Sequence, residues 1–96
     1  MILLQSKEKN YTFDTYKETN ETKLVVLNDN PKDIEIETLI RLDKIIKIEF
    51  LNINNENIKK FNINKLPTYI FLREGKEVKR FNKIILSEVQ KLNECK

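Results

Sequence analysis

The sequence predicts an α/β domain with a central mixed sheet flanked by helices, in the order β-α-β-α-β-α-β-β-α. Three observations carry that expectation. Apolar runs of strand length at residues 23–27, 45–51 and 66–72 alternate with segments whose apolar residues recur every three or four positions. Strands separated by helices need crossover connections and are therefore parallel. Only Glu74-Gly75 separates the last two strand signals, a two-residue turn that adds an antiparallel hairpin. The chain has 96 residues, 40% hydrophobic and 34% charged. That suits one ordinary globular core, and the expectation is a single domain over residues 1–96.

The elements follow in order. Residues 1–4 (Met-Ile-Leu-Leu) read as a short first strand. Residues 11–16 read as a short amphipathic helix, with Phe13 and Tyr16 three apart on one face. Residues 23–27 (Lys-Leu-Val-Val-Leu) form a continuous apolar run, the mark of a strand buried on both faces. In residues 28–31, Asn30 is placed to cap a helix, Pro31 suits the first helical position and Asp33 the first turn. Ile36, Leu39 and Ile40 then keep helical spacing. In the third strand Ile46, Ile48 and Phe50 alternate with Lys47 and Glu49. Residues 54–63 give a short polar helix, with Ile58 and Phe61 three apart. Pro67 opens the fourth strand, a position where proline is tolerated. Residues 77–81 return as the fifth. Asn82 is placed to cap a last helix with Ile85, Val89 and Leu92 on its buried stripe.

Composition narrows the chemistry. Without histidine there is no imidazole base or ligand. One cysteine, Cys95, allows neither an internal disulfide nor a cysteine-based zinc site. No metal, no cofactor and no catalytic residue is expected. Net charge is +3, too small by itself to argue for nucleic acid. No stretch approaches the ~20 apolar residues that span a bilayer, and residues 1–4 are too short for a signal-peptide core. A cytoplasmic, reducing setting is the expectation. Ile, Asn and Lys supply 40 residues while Ala is absent, which points to an A/T-rich genome.

Leu66-Pro67-Thr68 followed by Gly75 resembles the thioredoxin family. Its members carry a cis proline after an aliphatic residue, then Thr, an apolar strand and a hairpin glycine eight residues beyond the proline. Leu51-Asn52-Ile53-Asn54 is similar to the family's segment at the end of its third strand. Residues 1–4 and Phe13-Asp14-Thr15 resemble its first strand and first helix. The resemblance runs end to end and implies the thioredoxin fold.

The departures from that pattern bear on function. The stretch matching the family's C-x-x-C motif is Asp29-Asn30-Pro31-Lys32, with neither cysteine present. The family's buried acid in the second strand is matched by Val26, and the lysine beside it in the third strand by Phe50. A buried unpaired carboxylate costs stability, so with no dithiol to serve, an apolar pair is the more stable choice. The resemblance thus implies a redox-inactive domain and not a thiol oxidoreductase.

It also implies where a partner would sit. In this fold the residue before the proline presents free backbone beside the former active site, and an extended peptide is held there by strand-like hydrogen bonds. The expected groove comprises Asp29, Asn30, Pro31, Lys32, Lys65, Leu66 and Pro67, and the expected partner is a protein. A second class of function rests on charge. Residues 1–58 hold 8 basic and 11 acidic side chains, residues 59–96 hold 10 and 4. Arg73, Lys76, Lys79, Arg80 and Lys83 cluster about the hairpin, either as a patch for nucleic acid or another anionic partner or as charges that block edge-to-edge aggregation. On the fifth strand Lys76, Val78 and Arg80 are expected on one face, with Glu77, Lys79 and Phe81 on the other. Cys95, near the end of the last helix, reads either as an unreactive thiol or as a site of intermolecular disulfide formation.

Overall fold

The computed structural model describes residues 2–5 and 10–94. The strands are β1 (Ile2–Gln5), β2 (Asn10–Thr15), β3 (Lys23–Leu27), β4 (Lys47–Phe50), β5 (Thr68–Arg73) and β6 (Lys76–Phe81). The helices are α1 (Asp33–Asp43), α2 (Asn55–Lys60) and α3 (Leu86–Glu94). Among the described residues the strands form one sheet in the order β1-β2-β4-β3-β5-β6. β4 runs parallel to β2 and β3, while β1, β5 and β6 add antiparallel pairings. The sheet is mixed, as the sequence predicts, and the element order is β-β-β-α-β-α-β-β-α.

The difference lies at residues 10–15, which are strand and not helix. Tyr11-Thr12-Phe13-Asp14-Thr15 alternates half-buried, exposed, buried, exposed, half-buried, the period of a pleated strand. Its aromatic and β-branched residues favour that conformation. Phe13 and Tyr16 do not share a face. Phe13 joins the cluster on one side of the sheet and Tyr16 the cluster on the other. β1 therefore pairs only with β2, and β2 holds the place beside β4. Residue 1 of the expected first strand lies outside the described residues.

Both faces of the sheet are covered. Leu24 and Val26 of β3, Ile48 and Phe50 of β4, and Tyr69 and Phe71 of β5 pack under α1 and α3 through Ile36, Leu39, Ile40 and Val89. The alternate residues Val25, Leu27, Ile70 and Leu72 pack with Leu51 and Ile63 on the other side, beneath Ile58 of α2, Phe61 and Tyr16. The continuous apolar runs of β3 and β5 reflect this two-sided burial. No helix among the described residues is long and apolar enough to cross a membrane.

Three local expectations need correction. Lys32 is the N-cap of α1, so Pro31 precedes the helix and Asn30 does not cap it. The Glu35 carboxylate, at the third helical position, reaches back to accept the Lys32 N–H at 2.9 Å, so the helix start is held from inside the first turn and not by a capping side chain before it. Asn82 does not cap α3, which begins at Leu86. Its side-chain amide donates instead to the Pro67 carbonyl at 3.1 Å. Lastly, a register shift in the β5–β6 pair sets Glu77 opposite Leu72 and Lys79 opposite Phe71, so Val78 is the extra residue of a bulge. Glu77 therefore shares a face with Arg80, which it pairs at 2.7 Å.

Candidate functional site

The C-terminal ends of β3 and β4 and the N-terminal end of β5 meet at one edge of the molecule. Open α/β sheets bind ligands outside the carboxyl ends of their parallel strands. The chain after β3 is shaped by Asn28. Its Oδ1 accepts the Asn30 N–H at 3.0 Å, a side-chain-closed turn. Its Nδ2 donates to Glu35 at 3.1 Å and to the Tyr69 hydroxyl at 3.3 Å. One amide thus ties the loop to α1 and to β5. Tyr69 is fully buried, and burial, first of its causes, pushes its pKa up to about 12. It stays neutral at physiological pH and serves as a fixed anchor.

The Leu66–Pro67 peptide bond is cis. The Thr68 hydroxyl donates to the Lys65 carbonyl, and the Asn82 amide holds the Pro67 carbonyl. Leu27 pairs Thr68 in the sheet. Among the described residues the N–H and C=O of Leu66 have no backbone partner. The Leu66 side chain packs down on the α2-side cluster.

Of the predicted groove residues, Asp29, Pro31 and Lys32 line cavities, and they divide between two; Leu66 and Pro67 line neither. Asp29 and Pro31 line a cavity of about 280 Å³ with Ile2 and Leu4 of β1 and Phe50 and Ile53 after β4. Lys32 lines a second, of about 310 Å³, with Ile34, Glu35, Thr38, Lys83 and Ile84. Asn30 and Lys65 are exposed and line neither. Reasoning from sequence missed Asn28, Ile34 and Ile84. The signal for Asn28 was its place two residues before Asn30, the spacing of an Asx turn.

The basic hairpin is less of a patch than its sequence suggests. The Arg73 guanidinium donates to the Leu92 carbonyl at the end of α3. Arg80 pairs Glu77 and also donates to the Asn62 carbonyl at 3.1 Å. Lys79 lies 5.3 Å from the Phe81 ring centre. Lys76 is exposed, and Lys83 belongs to the second cavity. Cys95 lies outside the described residues.

At the opposite end of β3, on the other face of the sheet, lies a group the sequence reading did not single out. Lys23 and Glu49 are almost wholly buried, with Nζ and Oε1 2.6 Å apart. Lys23 Nζ also donates to the Lys17 carbonyl and to Thr19 Oγ1, and lies 4.8 Å from the Tyr16 ring centre. Glu49 accepts the Lys17 N–H at 3.3 Å and pairs Lys47 at 3.4 Å. Burial works to raise the Glu49 pKa. The hydrogen bonds from Lys23, Lys17 and Lys47 outweigh it, so the net shift is downward. Val26 and Phe50, the positions matched to the family's acid and lysine, are direct partners across β3–β4 and wholly apolar.

Comparison with solved structures finds the X-ray structure of Fasciola hepatica thioredoxin, with a TM-score of 0.57 and 18% identity over 79% of this chain and 81% of that one. The chain therefore has a thioredoxin-like fold, a mixed sheet between helices. No protein-family model and no curated protein matches the sequence. With one cysteine, the chain has no dithiol of its own to exchange.

Proposed function

We propose that this chain is a non-catalytic, redox-inactive thioredoxin-like domain that binds a protein partner in extended form at the end of its central strands. The observation that carries this reading is the unpartnered backbone of Leu66, set between the Asn28–Lys32 loop and the Asn82 contact. Main-chain hydrogen bonds from Leu66 would give affinity, and the flanking cavities would select side chains. The absence of a second cysteine and the apolar Val26–Phe50 contact support the redox-inactive half of the reading. The hairpin supports an anionic-partner role less well, because Arg73 and Arg80 are already engaged.

Site-specific photocrosslinking in the native host tests it. A crosslinker at Leu66 is expected to capture a discrete protein that one at exposed Glu56 does not. Equal capture at both positions, or none at Leu66, would overturn the reading. Disulfide turnover by the pure protein in an insulin-reduction assay would overturn its redox-inactive half.

A further inference from the structure

We propose that the cavity between the first turns of α1 and the loop before α3 takes an apolar side chain borne next to a carboxylate, so that the partner segment is one in which acidic residues adjoin large aliphatic or aromatic ones. This deepens the groove reading above and rests on it.

The cavity, about 310 Å³, carries cations at its lining and apolar surface between them. Lys32 and Lys83 both line it, and among the described residues neither has an acidic partner within ion-pairing distance. Its one lining acid, Glu35, is already committed: Oε2 accepts both the Lys32 N–H and the Asn28 amide. Against that single carboxylate stand two ammonium groups, so the lining carries a net positive charge that favours an anionic group.

The apolar part is equally unaccounted for by the fold. α1 drives Ile36, Leu39, Ile40 and Leu42 into the core. Ile34 falls off that stripe and stands 75% exposed, lining the cavity together with half-buried Ile84. The two isoleucines offer a seat for one side chain of a bound segment. Position fits too. Asn82, one residue before Lys83, is bonded to the Pro67 carbonyl, so the loop that carries Lys83 and Ile84 is fastened beside the cis proline. The cavity on the other side of the Asn28–Lys32 loop has the opposite character, with no cation among its lining residues and the Asp29 carboxylate at its edge. The acidic part of the segment is therefore placed on the Lys83 side.

The test pans a phage-displayed library of random dodecapeptides on the wild-type protein. Binders are then measured on a Lys32→Glu/Lys83→Glu variant and on the milder Lys32→Gln/Lys83→Gln. Both positions are exposed, so unchanged thermal melting verifies the fold. Enriched peptides are expected to place Asp or Glu beside Leu, Ile or Phe. They should weaken roughly tenfold or more on the charge-reversed variant and less on the neutral one, and weaken with added salt. Binders that slow hydrogen exchange at the Leu66 amide, yet show no acidic preference and bind both variants as well as wild type, would overturn this inference and leave the groove reading standing. A library that enriches nothing would overturn both.

Discussion

The two ends of β3 treat charge in opposite ways, on opposite faces of the sheet. At the C-terminal ends of β3 and β4, Val26 faces Phe50 and the contact is apolar. Three residues earlier on β3, Lys23 is buried against Glu49 with no exposed surface on the ammonium-bearing side chain. A buried ion pair is a poor source of net stability, since desolvation offsets most of the attraction. It persists where its remaining hydrogen bonds hold something in place. Here that is the chain between β2 and β3. Lys17 supplies a carbonyl to Lys23 and an N–H to Glu49, and Thr19 supplies its hydroxyl. Buried charge is kept here where it ties backbone to the sheet, and the Val26–Phe50 contact, which holds no such segment, is apolar.

The comparison breaks most sharply on placing a carboxylate at the apolar end. Val26→Asp would set an acid at a fully buried position with Phe50 as its neighbour. Burial shifts such a pKa upward by roughly 3–5 units, so keeping the folded state at pH 7 costs about 4 kcal/mol, the limit set by protonating a group of unfolded pKa ~3.9. Most of the protein is expected to be unfolded at pH 7, by circular dichroism. Because the folded pKa lies above the unfolded one, the penalty is relieved as pH falls. Urea midpoints for the variant relative to wild type should therefore rise between pH 7 and 5. A variant as stable as wild type at pH 7 would show that this apolar position accommodates charge after all.

At the other end, removing one partner is expected to cost about 3–5 kcal/mol, because the other charge is left buried. Lys23→Met and Glu49→Leu should each lower the urea midpoint by that measure. The double variant should recover most of the loss, and a double-mutant cycle reads the coupling directly. Losses that simply add would mean that the pair holds nothing together. The pH dependence has the reverse sign from Val26→Asp. The Glu49 pKa lies below its ordinary value, so its contribution is complete above about pH 4.5, the unfolded range, and is lost as pH falls through the lower folded value. Wild type should lose stability below about pH 4.5 more steeply than Glu49→Gln, in urea titrations at pH 6, 4.5 and 3.

How much of this was legible in the sequence follows the same division. β3 and β5 were readable because two-sided burial writes a continuous apolar run. The hairpin was readable because Gly75, at φ 82°, is the residue type its turn demands. Residues 10–15 were not. A six-residue stretch satisfies a three-residue spacing and a two-residue one at once, and the deciding fact is pairing with Glu49 and Phe50, far away in sequence. Lys23 and Glu49 were passed over for a related reason. In β4, Lys47 and Glu49 alternate with apolar residues, the pattern of a solvent-facing side. Only the covering segment at 16–22 buries one of them. At the candidate site, the Asp29–Lys32 loop and Leu66 lie in sequence at the two strand ends that the resemblance brings together, whereas Asn28 carries only an Asx-turn spacing. The site's division into two cavities of unlike charge depends on where β1 and the loop before α3 come to rest, which no local pattern encodes.

The covering segment is held a second time, at the hairpin, which gives a smaller effect. The Glu74 N–H approaches Thr22 Oγ1 at 3.4 Å. A Cβ on Gly75 would stand 3.0 Å from the Asn20 side chain and 3.1 Å from the Thr19 carbonyl, on a backbone at φ 82°. Gly75→Ala is expected to cost about 1–2 kcal/mol from positive φ and crowding together. That corresponds to a fall in melting temperature of roughly 4–16 °C for a domain this size. Faster hydrogen exchange should then be confined to the turn and residues 17–22. A loss spread evenly over the sheet would mean that the segment is not a separate cover.

The smallest effect belongs to the ion pair the same segment makes in the open. Glu18 and Lys60 of α2 approach to 3.6 Å, with side chains 81% and 54% exposed. Exposed pairs of this kind are worth ~0.2–1 kcal/mol and are screened by salt. Glu18→Gln is therefore expected to shift the urea midpoint by no more than about 0.5 kcal/mol, and less still at 0.5 M NaCl. Lys23 and Lys60 both reach acceptors around one short stretch of chain and differ chiefly in exposure. A Glu18→Gln loss as large as that of Glu49→Gln would show that the network, and not burial, sets the energy of these contacts. The distinction between the two ends of β3 would then have to be drawn on other grounds.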